Sequence, residues 1–156
     1  MGAASAASID ELYEQLHDRL VRIAFLLTGD SNVAQELVQD AFIALEQSKR
    51  PVLNPTGFLR QVVVNRCRSW ARHRGVEQRA LPLFVVRSGE PDQTDRLAVR
   101  AALARLSDRQ RAAVVLRYYD DCAEQQIADL LGCRPGTVKS LLSRGLAVMK
   151  EEFGDD

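Results

Sequence analysis

The side chains best suited to bind a ligand are arginines gathered in one short block. Between positions 56 and 80, six arginines stand against Glu77 alone, a local charge of +5. The preceding 55 residues carry eight acidic and four basic side chains, although the whole chain is neutral, with 21 of each sign. Guanidinium groups bind phosphate oxygens, so the acidic segment and the basic block indicate two surfaces for two different partners. A plain solvated helix face is the alternative.

Catalytic and metal chemistry has little support in the sequence. Cys67, Cys122 and Cys133 form no Cys-x-x-Cys motif, and His17 lies far from His73. Because we also find no nucleophile–base pair and no phosphate-binding glycine loop, we predict no catalytic residue, no metal site and no cofactor. Unpaired thiols fit a reducing compartment. We expect Cys122 and Cys133 to be buried structural thiols, and a redox switch or metal clip is the alternative.

A second candidate binding element spans residues 124–143. A helix-turn-helix needs a small residue where its helices cross, a glycine in the turn and an apolar anchor on the second helix. Ala128, Gly132 and Val138 meet these needs at relative offsets of four and ten. The outward positions of the second helix would then contact bases and phosphates. These positions are Arg134, Thr137, Lys139, Ser140, Ser143 and Arg144.

Helical periodicity predicts the elements that position these groups. Apolar residues recur at steps of three and four over residues 9–27, and Gly29 is a natural stop. A second helix is expected to begin near Asp30. Asn54 reads as the N-cap of a third helix, which carries the arginine block and ends at Gly75.

The pattern predicts an all-α fold of two small helical domains joined by a flexible linker. Residues 8–75 form the first domain, 76–94 the linker, and 95–153 the helix-turn-helix domain, in which Ser107 opens a helix through a capping box. The apolar stretch 81–86 is unusual for a free linker. It either docks on a domain or adds a short strand, and the sequence leaves both open.

Membrane association is not expected. The longest apolar runs are about five or six residues, whereas a membrane-spanning helix needs roughly 20. The N-terminal residues lack the basic region and apolar core of a signal peptide. We therefore expect a cytoplasmic protein with no membrane partner.

Two sets of motifs together resemble a known family. Leu-Leu-Thr-Gly-Asp at 26–30 and Arg-Tyr-Tyr at 117–119 are the most distinctive pieces. Further matching segments are 34–42, 54–66, 106–111 and 127–140. In this order they resemble the two domains of a bacterial sigma factor of the extracytoplasmic-function (ECF, group IV) type, and they are most similar to an actinobacterial group.

The resemblance implies the partners. In this family the second helix of the first domain docks on the clamp helices of the largest catalytic subunit of RNA polymerase, and the flap of the second-largest subunit is a further contact. The matching docking residues here are Glu36, Gln39 and Asp40. Core RNA polymerase and promoter DNA are thus the expected partners. Relatives are commonly inhibited by an anti-sigma protein, which is a candidate third partner.

The resemblance also assigns the third helix to the minus-10 element of the promoter. Asn65 stands at the family's Asn position and would read an extruded base, while the arginines would hold phosphates. The expected contact residues are Arg60, Asn65, Arg66, Arg68, Ser69, Arg72 and Arg74. Trp70 is either a core residue, which its place in the apolar stripe favours, or a base-stacking platform.

The second helix of the helix-turn-helix would lie in the major groove of the minus-35 element. Lys139, Ser140, Ser143 and Arg144 match the family's contact positions, and Arg134 and Thr137 complete the expected set. Leu141 stands where many relatives have Arg, which removes one expected DNA contact. Ala123 replaces the usual hydroxyl cap of the preceding helix, at a cost of about 1 kcal/mol.

The resemblance implies a promoter-specific initiation factor that recruits polymerase, and two alternative functions remain. A stand-alone helix-turn-helix regulator would leave the acidic helix and the arginine helix without a role. A sigma-like decoy would occupy polymerase without reading DNA. An enzyme is the weakest alternative.

Overall fold

The computed structural model describes residues 6–77 and 93–153, and every regular element in these ranges is helical. The prediction of an all-α fold is thereby confirmed for them. The helices are α1 (Ala6–Thr28), α2 (Ser31–Glu46), α3 (Pro55–Glu77), α4 (Gln93–Ala104), α5 (Asp108–Val114), a π-helical turn (Val115–Tyr119), α6 (Glu124–Leu131) and α7 (Pro135–Phe153). Most of the predicted linker 76–94, including the apolar stretch 81–86, lies outside the described residues.

The junction between α1 and α2 forms as the sequence predicts. Gly29 has a φ of 77°, a left-handed conformation that glycine adopts without steric cost, and its N–H donates to the carbonyl of Phe25 at 2.7 Å. Asp30 is the N-cap of α2, because its Oδ1 accepts from the backbone N–H of Val33 at 3.0 Å. The sharp turn lets α1 and α2 pack against each other.

Helix α3 begins as predicted but ends later. The side chain of Asn54 accepts from the N–H of Gly57 at 3.1 Å, so it caps the helix. The helix continues through Gly75 to Glu77, so the predicted end at Gly75 is wrong by two residues. Its buried residues are Leu59, Val63, Val64 and Cys67.

The preference for Trp70 as a core residue is wrong. Trp70 continues the helical spacing of the stripe, but it is only half-buried, since burial along α3 stops at Cys67. Its ring instead lies under the guanidinium of Arg74, whose central carbon is 5.2 Å from the ring centroid.

The start of α5 confirms the predicted capping box. Ser107 Oγ accepts from the N–H of Gln110 at 3.1 Å, and the Gln110 side chain accepts from the N–H of Ser107 at 3.1 Å. Ala123 precedes α6 without a side-chain cap, as the sequence indicates. One of the two hydrogen bonds of a capping box is still present, because Gln126 Oε1 accepts from the N–H of Ala123 at 2.9 Å.

The two halves of the chain share one continuous core. In the first half α1 packs on α2 and α3, and in the second half α7 packs on α4, α5 and α6. The halves meet where α3 lies against α5 and α6 and where α1 lies against the π-helical turn. Buried apolar side chains such as Ile23, Val38, Leu59, Leu116 and Ile127 belong to the same cluster. This packing places α3, which carries most of the arginine block, beside the second half.

Candidate nucleic-acid interface

The acidic face of α2 is open to solvent. Glu36 and Gln39 are exposed on the side opposite the buried residues Ala34 and Val38. The Asp40 carboxylate is 43% exposed. An Arg66 Nη1 atom lies 3.9 Å from an Asp40 oxygen, but both side chains remain about half exposed, so this pair contributes little stability. All three predicted docking residues are therefore accessible.

Asn65 and Arg66 lie on the solvent side of α3. Asn65 is exposed, and its Oδ1 accepts from Gln61 Nε2 at 3.1 Å. The same Gln61 nitrogen donates to the carbonyl of Leu130 in α6 at 3.0 Å. Among the described residues the Asn65 amide nitrogen has no acceptor, so the amide can still recognise a base edge.

Arg60 differs from the other predicted DNA contacts. Its Nε donates to Asp120 Oδ2 at 2.6 Å, and its side chain is only 21% exposed. In this conformation the guanidinium therefore neutralises a carboxylate of the second half. The sequence offered no signal for this pair, since the two residues are 60 positions apart.

The C-terminal part of α3 concentrates positive charge. Arg72 is exposed, and Ser69 is half-buried. The Nε atoms of Arg68 and Arg74 are buried without a hydrogen-bond partner among the described residues. Burial lowers the pKa of Arg68, and the neighbouring charges of Arg72 and Arg109 lower it further. Arg72 is therefore the arginine in this part of α3 that is most accessible to an anionic ligand such as phosphate.

The α6–α7 pair has the geometry that the sequence predicts for a helix-turn-helix. Gly132 has a φ of 69° and ends α6, and the N–H of Cys133 donates to the Ala128 carbonyl at 3.0 Å. Ala128 and Val138 are buried where the two helices pack. The outward row is exposed except for half-buried Thr137. It consists of Arg134, Thr137, Lys139, Ser140, Ser143 and Arg144.

The structure explains why leucine is tolerated at position 141, where many relatives have arginine. Leu141 is half-buried and packs against the core, next to buried Leu142. A leucine at this position therefore extends the apolar side of α7 at the expense of its exposed polar row.

Two charged residues that the sequence analysis did not single out hold the halves together. Arg111 is 6% exposed, and its guanidinium donates to the carbonyls of Leu103, Leu106 and Leu27. Asp120 is 6% exposed and accepts from both Arg19 and Arg60. The sequence offered at most a weak indication that these two charges are buried, namely that each lies next to an apolar run. Burial of a charge depends on partners far along the chain.

The cysteines are free, and their environments differ. Cys67 and Cys122 are buried, whereas Cys133 is half-buried. Burial raises the pKa of the Cys67 thiol to about 12 and that of Cys122 to about 11. The expectation of a buried thiol is therefore confirmed for Cys122 and is wrong for Cys133.

No group of three or more His, Cys, Asp or Glu side chains within the described ranges could hold a metal ion. Among the helices described, none is long and apolar enough to cross a membrane.

Comparison with known proteins decides the family. Residues 12–76 match the protein family described as Sigma-70 region 2, and residues 96–149 match Sigma-70, region 4. The RNA polymerase sigma-E factor of Streptomyces avermitilis is 30% identical over 98% of this chain and 89% of its own length. The ECF RNA polymerase sigma factor SigL of Mycobacterium tuberculosis is 33% identical over 97% of this chain and 94% of its own length.

The chain belongs to the ECF RNA polymerase sigma factors. The expected family is thereby confirmed. The chain is accordingly a transcription initiation factor that binds core RNA polymerase and directs it to promoters through minus-10 and minus-35 DNA. Helices α1–α3 lie within the region 2 match except at their outer ends, and α5–α7 fall largely within the region 4 match.

A solved structure supports the two-part fold. The sigma factor RpoE of Bartonella quintana, in complex with the anti-sigma factor NepR, superposes with a TM-score of 0.71 and 25% sequence identity. The match covers 96% of this chain and 98% of the RpoE chain. Both halves of this sigma factor and their arrangement therefore have a counterpart among solved structures.

Proposed function

We propose that this sigma factor docks on polymerase through α2, opens and reads the minus-10 element with α3, and reads the minus-35 element with α7. Residues 8–75 would carry the first two roles and residues 95–153 the third. The observation that carries the proposal is that the polar rows of α2 and α7 point into solvent from helices whose opposite sides are buried.

The α2 surface suits a basic partner. Glu36, Gln39 and Asp40 form an accessible acidic row that would meet cationic side chains on the polymerase clamp helices. Such charge pairs mainly direct docking and increase the association rate, and they are weakened by salt. The flap of the second-largest subunit would be the second point of contact.

Helix α3 suits separated DNA strands. Asn65 is exposed and can both donate to and accept from a base edge, and the arginines near it would bind the phosphate backbone. The half-buried Trp70 with Arg74 at its face offers a flat surface beside this row, which supports the base-stacking role that the sequence left open.

Helix α7 suits duplex DNA. Lys139 and Arg144 are exposed cations on the outward row, and Ser140 and Ser143 lie between them. Arg and Lys side chains on a helix in the major groove contact guanine edges and phosphates. Together α3 and α7 would recognise the two promoter elements at once.

The contribution of this chain would be binding and strand opening. Phosphodiester formation would belong to the polymerase, so we assign no catalytic residue to the sigma factor. It would act in the cytoplasm together with polymerase.

An anti-sigma protein is the third partner we propose. A cleft of about 750 Å³ spans both halves, and Leu26, Val99, Tyr118 and Met149 line its apolar part. Tyr118 is 58% exposed, and exposed apolar surface of this kind is typical of protein-binding sites. Tagged protein recovered from cells should carry a protein that inhibits transcription, and a Tyr118→Ala variant should recover less of it. Full activity of the recovered protein would contradict the proposal.

Run-off transcription tests the main proposal. Bacterial core polymerase is assayed with and without this chain on a pool of genomic promoters, and discrete transcripts should appear only with it. Alanine at Asn65, Lys139 and Arg144 together should abolish them. Unchanged output from this triple variant would contradict the residue assignments, whereas polymerase binding without initiation would favour a decoy.

A further inference from the structure

Asp120 is a buried carboxylate of the second half whose charge is neutralised by two arginines of the first half. Its side chain is only 1% exposed. Arg19 Nε, from α1, donates to Oδ1 at 2.7 Å, and Arg60 Nε, from α3, donates to Oδ2 at 2.6 Å. A buried charge is stable only when it is paired and hydrogen-bonded, so this cluster depends on the two halves staying together.

Arg19 also contacts Tyr119, the residue before Asp120, at the end of the π-helical turn. Arg19 Nη2 donates to the carbonyl of Tyr119 at 3.2 Å, and its guanidinium lies over the Tyr119 ring at 5.5 Å. The following residue, Asp121, has a φ of 54°, a left-handed conformation that aspartate tolerates better than most residues. This turn directs the Asp120 side chain toward the first half.

The same packing covers part of α3. Arg60 is held by Asp120, Gln61 donates to the Leu130 carbonyl of α6, and α3 lies against α5. Arg60 is also one of the residues expected to bind DNA. It cannot hold a DNA phosphate and the Asp120 carboxylate with the same Nε–H.

We propose that Asp120 is a clasp that holds this sigma factor in a closed, self-inhibiting state, in which the second half masks the start of the DNA-reading face of α3. Opening breaks the Arg111–Leu27 hydrogen bond, releases Arg19 and Arg60, returns Asp120 to water and frees Arg60 for DNA. The masking of DNA binding rests on the proposed role of α3, whereas the clasp itself does not.

Two features keep the clasp reversible. Arg19 is 45% exposed, so water can replace its contacts without a large barrier. Near the other end of the interface, the positive charges of Arg72 and Arg109 repel the guanidinium of Arg68. The Nε atom of Arg68 has no hydrogen-bond partner among the described residues. Arg109 of the second half repels Arg68 of the first half, while Asp108 of the second half attracts it, so the charges around Arg68 only partly oppose closure. A DNA phosphate offers arginine a bidentate partner and competes with Asp120.

The test uses the full chain and three variants. Asp120→Asn removes the carboxylate charge, and Arg19→Gln removes one arm without touching a residue that we assign to DNA. Asp121→Asn is the matched control, since it removes an equal charge from the exposed neighbour and asparagine also tolerates positive φ. Small-angle X-ray scattering measures the radius of gyration, circular dichroism checks helicity, and fluorescence anisotropy measures binding of a fluorescein-labelled single-stranded oligonucleotide.

For the closed chain we expect a radius of about 15 Å, the value for a compact chain of this length. Asp120→Asn should raise it to about 20 Å or more and tighten oligonucleotide binding about threefold or more, because more molecules are open. Arg19→Gln should shift both quantities in the same direction by less, and Asp121→Asn should change neither.

Several results would overturn the proposal. One is an unchanged radius in both Asp120→Asn and Arg19→Gln; if Asp120→Asn loses helicity, Arg19→Gln alone decides. A radius change in Asp121→Asn equal to that in Asp120→Asn would show a general charge effect instead. A larger radius with unchanged oligonucleotide affinity would overturn the masking of α3. None of these readouts uses polymerase, so they are independent of the transcription assay.

Discussion

Arg111 Nη1 lies 3.3 Å from the carbonyl oxygen of Leu27, so a buried cation of the second half closes the C-terminal end of α1. The same guanidinium donates to Leu103 and Leu106 at 2.9 and 2.8 Å, where α4 ends. The last carbonyls of a helix have no partner within the helix, and a cation there is favourable. Arg111 thus connects two helix ends that belong to different halves of the chain.

We expect Arg111→Met to lower the free energy of unfolding by about 3 kcal/mol, because three buried carbonyls lose a charged donor. Urea unfolding followed by circular dichroism measures the change. Arg109→Met is the matched control, since Arg109 is exposed on the same helix, and it should stay within about 0.5 kcal/mol of the parent. Equal effects of the two substitutions would contradict a specific role for Arg111.

Gly145 marks the closest approach of α7 to α5. A Cβ atom at this position would lie 3.0 Å from Val114 Cγ2 and 3.6 Å from Gln110 Cβ. Gly145→Leu should therefore lower the free energy of unfolding by about 1–3 kcal/mol through overpacking. A Cβ at Gly136, in the same helix, would meet nothing within 4 Å, so Gly136→Leu should cost nothing in a thermal melt. Similar melting temperatures for the two variants would contradict the close contact.

If α2 docks on polymerase, reversing a charge on its acidic face should weaken binding to core RNA polymerase. Glu36→Arg should raise the Kd for core RNA polymerase about tenfold at low salt, and the difference should shrink as salt is added. Asp18→Arg makes the same charge change at an exposed position of α1 that we do not assign to polymerase, and it should bind like the parent. Surface-captured core polymerase gives both affinities. An equal loss in Asp18→Arg would point to net charge and not to the α2 face.

If α7 contacts DNA, the loss of promoter binding caused by removing a cation should depend on where that cation lies along the helix. Arg144→Ala should reduce promoter binding by the polymerase holoenzyme about tenfold, a value typical of one lost base or phosphate contact. Lys150→Ala removes an exposed cation from the last turn of the same helix, outside the predicted row, and serves as the control. Promoter binding measured across a salt series separates the two. No difference between these variants would contradict the orientation of α7 on DNA.

The cysteines predict a graded reactivity. Iodoacetamide at pH 8 should modify half-buried Cys133 first, while Cys67 and Cys122 react only on unfolding, because burial keeps their thiols protonated. Mass spectrometry of the intact protein should show a single early modification. Early labelling of Cys67 would contradict its burial.

The raised pKa of Cys67 also has a consequence for stability. Between its ordinary pKa of 9.0 and its folded value of about 12, the unfolded chain loses the thiol proton while the folded chain keeps it. The contribution of Cys67 is therefore complete below pH 9 and is lost as pH rises toward 12. Urea unfolding across this pH range should show a smaller decline in Cys67→Ala than in the parent.

The helices and most of their ends, though not the end of α3, could be predicted because their causes are local. Gly29 ends α1 and Ser107 caps α5 through contacts with residues at most four positions away. The buried side of α7 follows from apolar spacing at Val138 and Leu142, and the opposite row follows with it. The sequence by itself therefore determined the all-α fold, the helix-turn-helix and the family, whose motifs lie within such local segments.

The tertiary structure alone decided which charges are buried. Arg60 follows the arginine pattern of α3, yet it neutralises Asp120 across the interface between the halves. Trp70 continues an apolar stripe but is only half-buried, whereas Cys67, three residues earlier in the same stripe, is fully buried. The reason is physical: burial of a side chain depends on which distant segments pack over it, and no periodicity within one helix encodes its partner on another.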